Sequence, residues 1–127
     1  MIGRTLNTHD AALSAGGSSG GGGAVAVGIG PIAHGNGIGG SVRIPALYNG
    51  IVGLRVSLRC IPSYNLSQSG ASPISARRMA VEGPLARTAR DARLALMVMV
   101  RGDPRGTRCA DAPLAGPAVS RPIRVAL

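Results

Sequence analysis

Two clusters of glycine occupy the first third of this chain: Gly16-Gly17-Ser18-Ser19-Gly20-Gly21-Gly22-Gly23, and Gly35-Asn36-Gly37-Ile38-Gly39-Gly40-Ser41. Glycine loses more freedom on ordering than any other residue, so it is used where backbone must turn or approach closely. By composition alone the first cluster reads as a flexible linker. The segment after it points the other way. Ala24-Val25-Ala26-Val27-Gly28-Ile29-Gly30-Pro31-Ile32 is continuous and apolar, as a buried helix followed by a buried strand would be. The chain has no Phe and no Trp, and its only aromatic residues are Tyr48 and Tyr64. A core here is built from Val, Ile, Leu, Met and Ala, which bury less area per side chain than aromatic anchors.

The length, 127 residues, suits one domain. The net charge is +9 and every lysine-or-arginine position is an arginine. Arginine binds phosphate well, so an arginine-rich polyanion-binding protein is one reading. The distribution argues against it: only Arg77 and Arg78 are adjacent, and stacking aromatics are nearly absent. The arginines read as scattered surface charge, with no specific nucleic-acid partner. Cys60 and Cys109 are too few and too distant for a zinc pattern, and they read as thiols in a reducing cytoplasm. The start of the chain lacks an apolar leader pattern, and the apolar run 94–100 is far too short to cross a bilayer. These readings place the protein in the cytoplasm, away from membranes.

Residues 1–15 are polar and read as a leading loop. Ile51-Val52-Gly53-Leu54-Arg55-Val56 is rich in β-branched residues and reads as a strand. Residues 60–80 look irregular. A helix follows, with Thr88 as N-cap and Asp91 completing a capping box. Leu94, Met97 and Val98 share one face of it, and Gly102 and Pro104 end it. A Pro- and Ala-rich loop leads to Ile123-Arg124-Val125-Ala126-Leu127, an alternating stretch in which the chain ends, as a truncated strand would.

Acyl transfer at an amide needs a nucleophile, a group that takes its proton, and donors for the developing oxyanion. Ser41 offers a hydroxyl, and the N–H groups beside Gly39 and Gly40 are unhindered by side chains. Alone, Gly-Gly-Ser is an ordinary tight turn. Read jointly, G-G-S-S-G-G, an Ala/Val-rich stretch and G-x-x-x-G-G-S-x-R-x-P-A resemble the amidase signature family. Asn49-Gly50-Ile51-Val52-Gly53-Leu54-Arg55 and Gly83-Pro84-Leu85-Ala86-Arg87-Thr88 resemble the segments that follow the signature. The resemblance covers nearly the whole chain in the family's order.

The resemblance implies an α/β fold, a piece of a mixed β-sheet covered by helices. It divides the partial domain, residues 1–127, into the leading loop 1–15, the signature region 16–46, a strand, loop and capped helix over 47–101, and the loop and strand start over 102–127. It implies hydrolysis of carbon–nitrogen amide bonds by a Ser–Ser–Lys triad, without cofactor or metal, on a small amide substrate. Ser41 matches the nucleophile and Ser18 the bridging serine, which in the family follows a cis peptide bond. The oxyanion hole falls on the backbone of Ile38, Gly39, Gly40 and Ser41, with Gly17, Ser19 and Arg43 in support.

Three departures stand against full activity. The chain contains no lysine, and arginine stays protonated and cannot replace it as a base. Gly37 stands where the family has an acidic residue, whose loss is expected to loosen the site. The interval from Ser18 to Ser41 is one residue shorter than the family's, so either a loop absorbs the change or the two serines no longer meet. His34 lies beside the second glycine cluster, but no carboxylate sits within that loop to orient it, so it reads as a structural residue. The chain thus reads as an amidase fragment inactive alone. The alternatives are a truncated or decayed non-enzymatic product, or a subunit needing a complementing chain.

Overall fold

A computed structural model describes residues 3–64, 73–105, 109, 113–118 and 122. In chain order the elements are α1 (Ser19–Ala26), β1 (Ile32–Gly37), α2 (Arg43–Asn49), β2 (Val52–Gly53), α3 (Ile74–Met79), β3 (Val81–Ala86) and α4 (Ala89–Met99). The three strands form one antiparallel sheet in the order β1-β3-β2. The β1 register runs from Ile32 opposite Ala86 to Gly37 opposite Val81. All six residues of β3 are buried, as a central strand covered on both faces must be.

The apolar stretch after the first glycine cluster is not a buried helix followed by a buried strand: α1 ends at Ala26, residues 27–31 turn with Val27 and Ile29 exposed, and β1 begins only at Ile32. The helix also begins inside the cluster, so Gly20–Gly23 are helical rather than a linker. Tertiary contact overrides their low propensity. A Cβ on Gly22 would lie 2.7 Å from Pro45 Cβ, so only a bare backbone lets α1 approach α2 this closely. Arg87 fastens the other end of α1. Its Nη1 donates to Val25 O at 3.0 Å and Gly30 O at 3.1 Å, tying the last turn of α1 to the loop that leads into β1.

The core is aliphatic, as the composition demands. Val42, Ala46 and Leu85 form its centre, with Ala33 and Ile51 packed against them. Asn49 is buried beside it with its polar atoms engaged. Its Nδ2 donates to Ala15 O at 2.7 Å and Pro45 O at 2.8 Å, and its Oδ1 accepts from Thr8 N at 3.2 Å. These bonds pin the leading loop to α2. Gly50, at φ 64°, ends α2 in the left-handed conformation that glycine supplies cheaply.

Two further expectations are revised. The strand expected over 51–56 shrinks to Val52–Gly53, because Leu54 turns its backbone toward β3, where its carbonyl fills the space a Gly83 Cβ would need. The region expected to be irregular holds α3, which begins after Pro73 and buries none of its residues. α4 begins at Thr88 as expected, and Thr88 Oγ1 accepts from Asp91 N at 3.1 Å. Its buried residues are Ala92 and Ala95, whereas Leu94, Met97 and Val98 are exposed. Small side chains let the helix sit close to β3, and that preference decides its rotation. The strand expected at 123–127 lies outside the described residues.

Candidate active site

The two serines singled out from the sequence meet. Ser18 is the N-cap of α1, and the Gly17–Ser18 peptide bond is cis. Ser41 lies in the turn between β1 and α2. Ser18 N donates to Ser41 O at 2.7 Å, so the two residues are in contact despite the short interval between them. The side chain of Ser18 faces the strand that precedes Ser41. Its Oγ donates to Asn36 O at 3.3 Å and accepts from Asn36 N at 3.4 Å. The Ser41 hydroxyl makes no hydrogen bond among the described residues, and Ser41 is half-buried.

The other expected site residues surround this contact. Ile38, Gly39 and Gly40 form the turn from β1 to Ser41, with Gly40 buried at φ 130°. Ile44 N donates to Gly40 O at 2.8 Å, which fixes the turn onto the start of α2. Among the described residues no hydrogen bond takes up the N–H of Gly39, Gly40 or Ser41. Ser19 opens α1, and Arg43 opens α2 with an exposed side chain. Gly37 does not leave a gap. A Cβ there would lie 2.9 Å from Ser41 N and 3.1 Å from Ser41 Cβ, so the bare backbone lets the Ser41 turn close against β1.

Sequence reading missed Glu82. Antiparallel pairing of β1 with β3 sets Glu82 opposite Asn36 and Pro84 opposite His34, so the carboxylate reaches the sheet face that carries Asn36 and His34. Asn36 Nδ2 donates a short hydrogen bond to Glu82 Oε1, and Ser63 Oγ donates to the same oxygen at 2.8 Å. Glu82 Oε2 is buried and has no hydrogen bond of good geometry; its partner is His34 Nε2, an ionic contact at 2.7 Å. Burial pushes the Glu82 carboxyl upward, but the bonds from His34, Ser63 and Asn36 outweigh it and leave the group below its ordinary value. The same bond holds His34 above its ordinary value, against the opposing pull of burial. The orienting carboxylate that the His34 loop lacks therefore arrives from a strand far along the chain. A lone acid just before the Gly83-Pro84 segment, in a run otherwise apolar, is the signal that points to it.

Among the described residues, no group of three or more His, Cys, Asp or Glu side chains converges as metal ligands would. No helix there is long and apolar enough to cross a membrane. Cys109 donates its thiol to Cys60 O at 3.6 Å.

Known proteins share this arrangement of segments. The family profile described as Amidase matches residues 1–127. The chain is 52% identical to an indoleacetamide hydrolase of Bradyrhizobium japonicum over 128 aligned residues, covering 100% of this chain and 28% of that protein. It is 39% identical to a glutamyl-tRNA(Gln) amidotransferase subunit of Deinococcus radiodurans, over 87% of this chain and 22% of that one. Among solved structures, a bacterial aryl acylamidase of the amidase signature enzymes superposes with a TM-score of 0.72 at 36% identity, covering 88% of this chain and 22% of its own. The chain thus spans about a quarter of the length of the relatives it matches.

Proposed function

This chain belongs to the amidase family, and from that premise we propose that it carries the serine half of an amide-hydrolysing site. Ser41 is the nucleophile and Ser18 the bridging serine that passes a proton to and from it. The N–H groups of Ile38, Gly39, Gly40 and Ser41 face the oxyanion of the tetrahedral intermediate, with Gly17, Ser19 and Arg43 shaping the surrounding loops. Attack of Ser41 Oγ on the amide carbonyl forms the Oγ–C bond. Collapse of the intermediate breaks the C–N bond, and the amine leaves with a proton delivered through Ser18. Water then attacks the acyl-enzyme, returns a proton along the same path and releases the acid. The observation that carries this reading is the 2.7 Å bond from Ser18 N to Ser41 O, which holds the two serines together beside a Ser41 hydroxyl with no other hydrogen bond among the described residues.

The 127 residues contain no lysine, so the relay needs a lysine from outside them. These residues by themselves are expected to be inactive, since general acid–base assistance contributes on the order of 10²–10⁴-fold. The substrate is a small amide, and the thiols of Cys60 and Cys109 fit a reducing cytoplasm.

The test replaces the matching segment of the B. japonicum indoleacetamide hydrolase with these 127 residues. The graft should hydrolyse indoleacetamide, Ser41→Ala should abolish turnover, and Ser18→Ala should lower kcat strongly. Turnover that survives Ser41→Ala refutes the assignment. A second reading, a chain that works only beside a partner protein, is favoured by the likeness to one subunit of an amidotransferase. It is supported instead if activity appears only when a separate chain is added.

A further inference from the structure

Glu82 is the buried acid that the mechanism above does not use. It is 6% exposed, yet three side chains from two separate stretches converge on it: His34 and Asn36 from β1, and Ser63 from the loop after β2. No charged side chain of α1 or α4, the helices packed on β3, makes a hydrogen bond or ion pair to it among the described residues; Asp91 of α4 is engaged by Thr88. Burying a carboxylate is costly unless it is paired and hydrogen-bonded. Plain packing would place an apolar residue here, as it does elsewhere on β3.

Asn36 is the link to the site. Its side chain is held by Glu82, while its own backbone N–H and C=O bracket Ser18 Oγ. The bonds to Ser18 are long, 3.3 and 3.4 Å, so alone they fix the hydroxyl weakly. What holds the Asn36 peptide in place therefore determines where that hydroxyl sits.

We propose that Glu82 is a positioning residue for Ser18, acting through Asn36, with His34 and Ser63 holding its carboxylate in place. The proposal rests on the bridging role given to Ser18 above, and it extends the site to a sheet position whose partners among the described residues are Asn36, Ser63 and His34, not Ser41. Protonation of His34 changes the charge opposing Glu82, so the environment of Ser18 follows the state of a histidine that does not touch it.

Nuclear magnetic resonance on the 127-residue chain tests this without relying on turnover. The Ser18 and Asn36 amide signals should titrate with the same midpoint as the His34 imidazole, above its ordinary value. In Glu82→Gln the His34 midpoint should fall and the Ser18 signal should stop following it, while the Ala92 and Ala95 amides of α4 stay in place. In Asn36→Ser the His34–Glu82 pair remains, so His34 should titrate as before while Ser18 detaches. A Ser18 signal that still follows His34 in Asn36→Ser reports a direct through-space effect and overturns the proposal. So does a Ser18 signal indifferent to pH, or a chain in which the Ser18 and Asn36 amides are not ordered, since the network lies wholly within these residues. In the graft, Glu82→Gln should lower kcat about ten-fold with little change in KM, because small misplacements of reacting groups cost about that much or more. An inactive graft would count against the catalytic reading and leave the resonance result to decide this one.

Discussion

Replacing Gly37 with alanine should destabilise the chain and displace the proposed nucleophile. The added Cβ would sit 2.9 Å from Ser41 N, 3.1 Å from Ser41 Cβ and 3.2 Å from Ser41 Cα. Carbon contacts are optimal at about 3.5–4.0 Å, so each falls short by roughly 0.3 Å or more. Two of these atoms are backbone and cannot rotate away. Two effects compete. Alanine reduces the entropy of the unfolded chain, worth about 0.4–1 kcal/mol in favour of folding where the backbone allows it, and the Gly37 φ is not left-handed. Overpacking against fixed backbone costs about 1–3 kcal/mol. Overpacking wins, with a net loss of about 1–2 kcal/mol. Thermal melting followed by circular dichroism should show a Tm lower by about 5 °C. Gly39→Ala is the control: its Cβ meets nothing within 4 Å, so its Tm should hold or rise slightly. In the graft, kcat/KM should fall about ten-fold in Gly37→Ala as Ser41 shifts. An aspartate at 37 carries the same Cβ, so restoring the acidic residue that the resemblance expects should lower activity as well. A Gly37→Ala variant as stable and as active as the parent would refute the reasoning and show that the Ser41 turn yields freely.

The His34–Glu82 pair sets a pH window. Glu82, held below its ordinary value of 4.5, contributes stability present above that value and lost as pH falls through its lowered one; His34, held above its ordinary 6.5, contributes stability present below that value and lost as pH rises through its raised one. Tm should therefore be highest between about pH 4.5 and 6.5 as far as this pair is concerned, and His34→Gln should flatten the alkaline decline. Thr88→Ala removes the cap that accepts from Asp91 N and should cost about 1 kcal/mol in denaturant titration. Gly83→Ala drives a Cβ into the Leu54 carbonyl and should cost more than Gly37→Ala, because the central strand cannot shift. A milder effect at 83 than at 37 would mean that the β2–β3 pairing is loose.

The parts legible in the sequence are those encoded by near neighbours. The cap at Thr88 and Asp91 needs two residues three apart, and it fixes the start of α4. The glycine-serine turns around Ser18 and Ser41 are recognisable because turn chemistry is local, and the structure brings these turns together. The parts that escape depend on residues distant in the chain. Glu82 reaches Asn36 only through strand register, which no local pattern reveals. Local spacing places Leu94, Met97 and Val98 on one face of α4, but that it is Ala92 and Ala95 that meet β3 is decided by the approach of strand and helix and is not written in that spacing. The helix inside the first glycine cluster is hidden because its cause is a partner helix and not its own propensity.

That helix has a consequence for how the site comes into being. Four glycines in α1 each disfavour the helix by about 1 kcal/mol relative to alanine, and eight residues are too few to hold a helix in isolation. α1 therefore takes shape only as α2 docks, at the point where Gly22 meets Pro45. Ser18 stands at the threshold of α1, and Ser41 just before α2. The contact that makes α1 a helix is also the contact that delivers one serine to the other. Assembly of the pair is thus coupled to the docking of α1 on α2. A substitution that loosens the seam between α1 and α2 will register first as a separated serine pair, well before the sheet itself gives way.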